Sequence, residues 1–129
     1  MDSNRVDAVV AEVNDFVTRH LWMDFSVWSY QGDKLEVSGT RDESYWSDFR
    51  VVFSGICWAC VRFQGWKTDT GRPVLLRVDG PEAYDVNARF QIEVGHHVFK
   101  LVAEDFEEPM WVAAQGVAAD FTRLELGVG

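Results

Sequence analysis

Cys57-Trp58-Ala59-Cys60 sets two thiols three residues apart, the spacing of a dithiol redox pair. Such a pair works where the motif opens a helix, because the helix N-terminus stabilises the first thiolate. Here the motif lies in an apolar run between Gly55 and Phe63 that reads as a strand. On a strand, positions i and i+3 point to opposite faces, so the thiols diverge. The reading is two structural cysteines, buried or half-buried. Zinc needs four ligands. Cys57, Cys60, His96 and His97 supply the atom types, but each pair points to opposite faces and no clamp follows. His96 reads as a solvated turn residue, His97 as a residue at the sheet rim, and His20 as a helix C-terminal residue beside Arg19. Ser54 lacks the Gly-x-Ser-x-Gly elbow of a nucleophile. The 21 acidic residues bring many chance carboxylate pairs, and none stands out. There is no phosphate-binding glycine loop and no basic patch with aromatics. No catalytic residue, metal or cofactor is expected, and the reading leans away from an enzyme.

Two features suit binding. Glu104-Asp105-Phe106-Glu107-Glu108-Pro109 leads into Trp111. Its carboxylates can receive Lys and Arg from a basic partner, with Trp111 as an anchor. The simpler reading is a solvated acidic loop that ends a strand and protects an edge. The second feature is aromatic. Trp22, Trp28 and Tyr30 alternate with Met23, Phe25 and Val27, on a strand face shared with Asp24 and Ser26. That face either lines a ligand cavity inside a curved sheet or is covered as ordinary aromatic core.

The elements that must carry these residues follow from periodicity. Val6, Val9, Val10, Val13, Phe16, Val17 and Leu21 recur every three or four residues, which predicts an amphipathic helix over about 4–21 with Asn4 as N-cap. From Trp22 the period becomes two. Gly32-Asp33 turns the chain into a second strand, Lys34 to Ser38. Thr40 to Ser47 reads as a polar loop, and Phe49 to Ser54 alternates as a strand. Gly55 marks a bulge before Ile56 to Phe63. Gln64 to Pro73 reads as an exposed loop and Val74 to Val78 as a strand. Ala88, Phe90, Ile92 and Val94 alternate with polar residues before Gly95-His96. This predicts a hairpin in which Val94 faces His97, Phe90 faces Leu101 and Ala88 faces Ala103. Met110 to Phe121 reads as a strand bent at Gly116, in preference to a short helix. The sum is a single α+β domain over 1–129. Its N-terminal amphipathic helix packs on a curved, mostly antiparallel sheet, or partly open barrel, of about seven or eight strands.

Composition narrows the partners. The chain carries a net charge of −9. Residues 1–40 hold seven Asp/Glu against three Lys/Arg, residues 41–100 eight against eight, and residues 101–129 six against one. Such a field repels nucleic acid and anionic lipid and favours basic proteins, although solubility alone also accounts for it. No apolar run approaches a membrane span and no signal peptide opens the chain, so a cytoplasmic protein is expected.

Phe49-Arg50-Val51-Val52-Phe53-Ser54-Gly55-Ile56, followed later by Trp66, resembles small bacterial β-rich proteins, among them proteins similar to toxin-neutralising immunity proteins. The resemblance covers the central half of the chain and carries over no functional residue. It implies a small acidic protein that blocks a basic partner by binding it. The other reading is a small-molecule binding protein with an aromatic cavity in a half-open barrel. Exposed sheet edges also leave an assembly role open.

Overall fold

A computed structural model describes residues 1–20, 22–41, 46–69, 71–104 and 106–125. The elements run α1 (Ser3–Thr18), β1 (Met23–Gln31), β2 (Lys34–Thr40), β3 (Trp46–Ser47), β4 (Phe49–Cys60), β5 (Trp66–Thr68), β6 (Leu75–Val78), α2 (Gly80–Phe90), β7 (His97–Leu101), β8 (Met110–Asp120) and β9 (Leu124–Glu125). Seven strands form one curved antiparallel sheet in the order β5-β1-β2-β4-β8-β7-β6, and β3 pairs with β9. The fold is α+β, as expected. No helix among the described residues is long and apolar enough to cross a membrane.

α1 lies on the concave face. Val6, Val13 and Val17 are wholly buried there, in one core with Phe25, Phe49, Phe53 and Phe99. Asn14 fixes the helix to the sheet: its Oδ1 accepts from the Val74 and Leu75 N–H groups, and its Nδ2 donates to Leu75 O at 2.8 Å. Asp2, not Asn4, caps the helix, because its carboxylate accepts from Arg5 N–H at 2.9 Å. The helix ends at Thr18, before the expected position 21; Leu21 lies outside the described residues.

The Gly32 turn and the β1–β2 pairing form as expected, but a bulge between Val27 and Ser29 breaks the alternation. β8 passes through Gly116 as one strand, as expected, and lies between β4 and β7. Gly55 takes φ +63°, and the β4–β8 register slips between Ile56 and Trp58. A residue with a side chain is strained at that φ, so glycine fits the bend.

Two expectations are corrected. Ala88 to Val94 is no strand, and the predicted hairpin does not form. Residues 80–90 are helical, entered through Asp79 with Pro81 in the first turn and left through Gln91 at φ 52°. Pro presets the first turn of a helix, and a left-handed residue ends one. These end signals prevail over a period-two pattern that has no partner strand. Ala83, Val86 and Phe90 sit at helical spacing; Val86 is buried, whereas Val94 is fully exposed. The expected loops at 40–47 and 64–73 also contain strands, β3 and β5. Trp66 is buried and stacks on Phe25 at 6.3 Å, so burial of one indole organises a polar stretch.

Candidate binding surface

Residues directly opposite one another in a sheet share a face. Arg77, Phe99 and Val112 are mutual partners on the concave side, where Arg77 also reaches Asp7 of α1 at 2.6 Å. Leu76, Lys100, Trp111 and Cys60 are partners on the convex side. α2 lies on that convex side. Glu82 accepts from Lys100 Nζ at 2.7 Å, and Phe90 stacks on Trp58 with ring centroids 4.2 Å apart. α1 and α2 thus cover opposite faces of the same strands.

Between α2 and the β4–β8 pair runs a cleft of about 330 Å³. Trp58, Phe90 and Trp111 supply aromatic walls, and Glu82, Asp85 and Glu108 supply carboxylates. Phe90 remains 46% exposed despite its stack. Lys100 Nζ also lies 5.4 Å from the Trp111 ring centroid, so one cation already rests between an indole and a carboxylate.

Glu108 and Pro109 of the acidic loop line this cleft, whereas Ala103 and Phe106 line another with Arg62 and Lys67. Val102 N–H donates to Val74 O at 3.0 Å and Glu104 N–H to Lys67 O at 2.9 Å. This segment bridges from the chain just before β6 to β5, the two outermost strands of the sheet. Beyond it Glu104, Glu107 and Glu108 are exposed, and none has an ion-pair partner among the described residues. Asp105 lies outside the described residues. Trp111 is half-buried, close behind Glu108 and Pro109 on the cleft wall. The structure therefore brings Glu108 and Trp111 together, with Glu104 and Glu107 in the same loop.

Some carboxylates elsewhere are matched internally, whereas exposed Asp2, Glu12, Asp15, Asp33, Glu93 and Glu125 have no ion-pair partner among the described residues. Asp7 and Asp79 share Arg77, Asp48 lies between Arg41 and Arg123, and Asp120 meets Arg50. The Arg77 hydrogen bonds hold the Asp7 carboxyl below the ordinary range. Asp120 is held low chiefly by the Thr122 N–H, with Arg50 assisting.

Trp22, Trp28 and Tyr30 do not line one cavity, and this corrects the expected face. The β1–β2 register slips between Val27 and Ser29 and leaves Trp28 as the extra residue. Tyr30 then pairs with Leu35 and belongs to the concave side, 59% exposed. Trp22 is 51% exposed. The Arg50 guanidinium lies 5.8 Å from the Trp28 ring on the convex side. Arg50 is only 3% exposed, donates to Ser47 Oγ at 3.1 Å and Thr122 O at 2.8 Å, and pairs with Asp120 at 3.2 Å. A polar network thus occupies the place of the supposed ligand site. Tyr30 instead borders a second groove of about 330 Å³, with Leu35, Ile56, Cys57, Trp58 and Phe63.

Cys57 and Cys60 are free and exposed, not buried or half-buried as expected. The bulge lifts Cys57 out of the ladder, and Cys60 ends the strand on the convex rim. His97 sits at the rim as expected, its Nε2 2.7 Å from Met1 O, and His96 lies in the turn with Nδ1 3.1 Å from Glu93 O. No family model, curated protein or solved structure matches this chain.

Proposed function

We propose that this chain is a non-enzymatic binding protein of immunity type, which neutralises a basic protein partner through its acidic surface. One observation carries the reading. Glu108 stands with Trp58, Phe90 and Trp111 on the wall of one cleft, and neither it nor exposed Glu104 and Glu107 of the same loop has an ion-pair partner among the described residues. Unmatched charge speeds encounter with a partner of opposite sign, and desolvated aromatics slow its release. Indole-rich patches ringed by polar groups are typical of such interfaces.

The test is affinity capture at low and high salt, followed by association kinetics with the purified basic protein so identified. Neutralising Glu104, Asp105, Glu107 and Glu108 to their amides is expected to slow association at low salt by about tenfold or more and to flatten its salt dependence. Unchanged kinetics would overturn the reading.

A second reading, a small-molecule binding protein, rests on the groove at Tyr30, where Phe63 stands exposed over buried Leu35. Native mass spectrometry of freshly purified protein tests it. A bound apolar molecule that is lost in Phe63→Ser supports it, and an empty protein overturns it.

A further inference from the structure

We infer that the cleft between α2 and the β4–β8 pair receives an arginine side chain of the basic partner. The inference rests on the binding reading above and specifies its anchor. Arginine is the cation this cleft suits. A guanidinium is planar, stacks on aromatic faces and meets carboxylates with two parallel N–H donors. The cleft offers aromatic faces from Trp58, Phe90 and Trp111 and carboxylates from Glu82, Asp85 and Glu108. A volume of about 330 Å³ is at the small end of ligand pockets and suits one side chain.

The cleft's own residues display the same chemistry. Lys100 already neutralises Glu82 and rests against Trp111. Arg89 pairs with Asp85 at 3.5 Å, with both groups two-thirds exposed, and lies 5.9 Å from the Phe90 centroid. Such exposed contacts are weak and easily exchanged for an incoming guanidinium. Glu108 lines the same cleft and has no ion pair among the described residues, so one carboxylate there awaits a cation. The occupant is part of a protein because further exposed carboxylates, Glu104 and Glu107, stand in the same loop as Glu108, outside the cleft.

The experiment compares octa-arginine and octa-lysine peptides, equal in charge, by calorimetry with the whole chain at low salt. Octa-arginine is expected to bind about tenfold more tightly, since only guanidinium both stacks and pairs bidentately. Phe90→Ala alters an exposed side chain and is expected to erase most of that preference while leaving octa-lysine binding nearly unchanged. Glu108→Gln is expected to weaken both peptides, octa-arginine the more, and so to erase most of the preference as well. Equal affinity for the two peptides, or a preference that survives both variants, overturns the arginine anchor and leaves the acidic-surface reading standing. Binding of neither peptide overturns both. Free arginine methyl ester binding as tightly as the peptide would assign the cleft to a small cation and overturn the protein occupant.

Discussion

The two helices cover the same strands from opposite sides, yet they relate to the sheet in different ways. α1 has 16 residues, with three valines wholly buried and an asparagine bonded to the β6 backbone. α2 has 11 residues and a single buried one, Val86, while Tyr84 and Phe90 stay exposed. Both are amphipathic, so amphipathicity alone does not say what a helix is for. Burial separates them: α1 builds the core, and α2 shapes a surface. A helix that contributes little to the core leaves its aromatic and acidic side chains available to a partner.

Substitutions that act on one helix and spare the other break or sharpen this contrast. The largest effect is expected from Asn14→Leu. It strands the Val74 and Leu75 N–H groups and the Leu75 carbonyl, at about 1–3 kcal/mol for each buried group left unpaired. Chemical denaturation should show a loss of several kcal/mol, and a loss under 1 kcal/mol would deny α1 its anchoring role. Val13→Ala follows. Two buried carbons at about 0.8 kcal/mol each, plus a residual cavity, give about 2–3 kcal/mol by the same measurement. On α2, Phe90→Ala removes only one exposed aromatic stack, about 1 kcal/mol, and its main effect is expected on binding.

A smaller, pH-dependent effect belongs to the end of α1. His20 packs edge-on against Phe16, and its buried Nε2 has no hydrogen-bond partner among the described residues. Burial, with Arg41 and Arg19 nearby and opposed by Asp48, holds its pKa below the ordinary histidine value. As pH falls through about 6.5, the unfolded chain takes up the proton first, so the folded state loses an advantage that is complete above that pH. The melting temperature should therefore drop between pH 7.5 and 5.5 by more in the native protein than in His20→Gln, and parallel curves would refute this. The smallest effect is expected for Asp85→Asn on α2, within about 0.5 kcal/mol, as for an exposed ion pair.

The sequence was legible where one period ran against one buried face. The valine spacing of α1, the Met23-Phe25-Val27 alternation and the long strand through Gly116 are all of that kind. It misled at residues 88–94, where an accidental alternation overlay a real helix. Asp79-Gly80-Pro81, followed by Ala83, Val86 and Phe90 at helical spacing, held the signal that reads that helix correctly. Half of the candidate site was hidden by the same misreading. Glu108 and Trp111 stand out as acid beside indole, but Glu82, Asp85 and Phe90 meet them only once α2 is helical. Arg50 was unreadable for another reason. No local pattern shows that Ser47 and Thr122, far apart in sequence, close over one guanidinium.

The place of β8 between β4 and β7 has a consequence for how the chain reaches this state. β1, β2 and β4 follow one another as near neighbours and can zip as a meander, and β6 and β7 form a separate pair. Neither half completes the sheet. β8 joins them by pairing residues near 120 with residues near 50, a closure across more than half the chain. Such distant pairing is expected to slow folding relative to a chain held by local contacts. Until β8 arrives, Trp58 and both thiols lie on the end of β4 that β2 does not reach, so an unpaired, aromatic strand end is exposed to aggregation just before β8 docks.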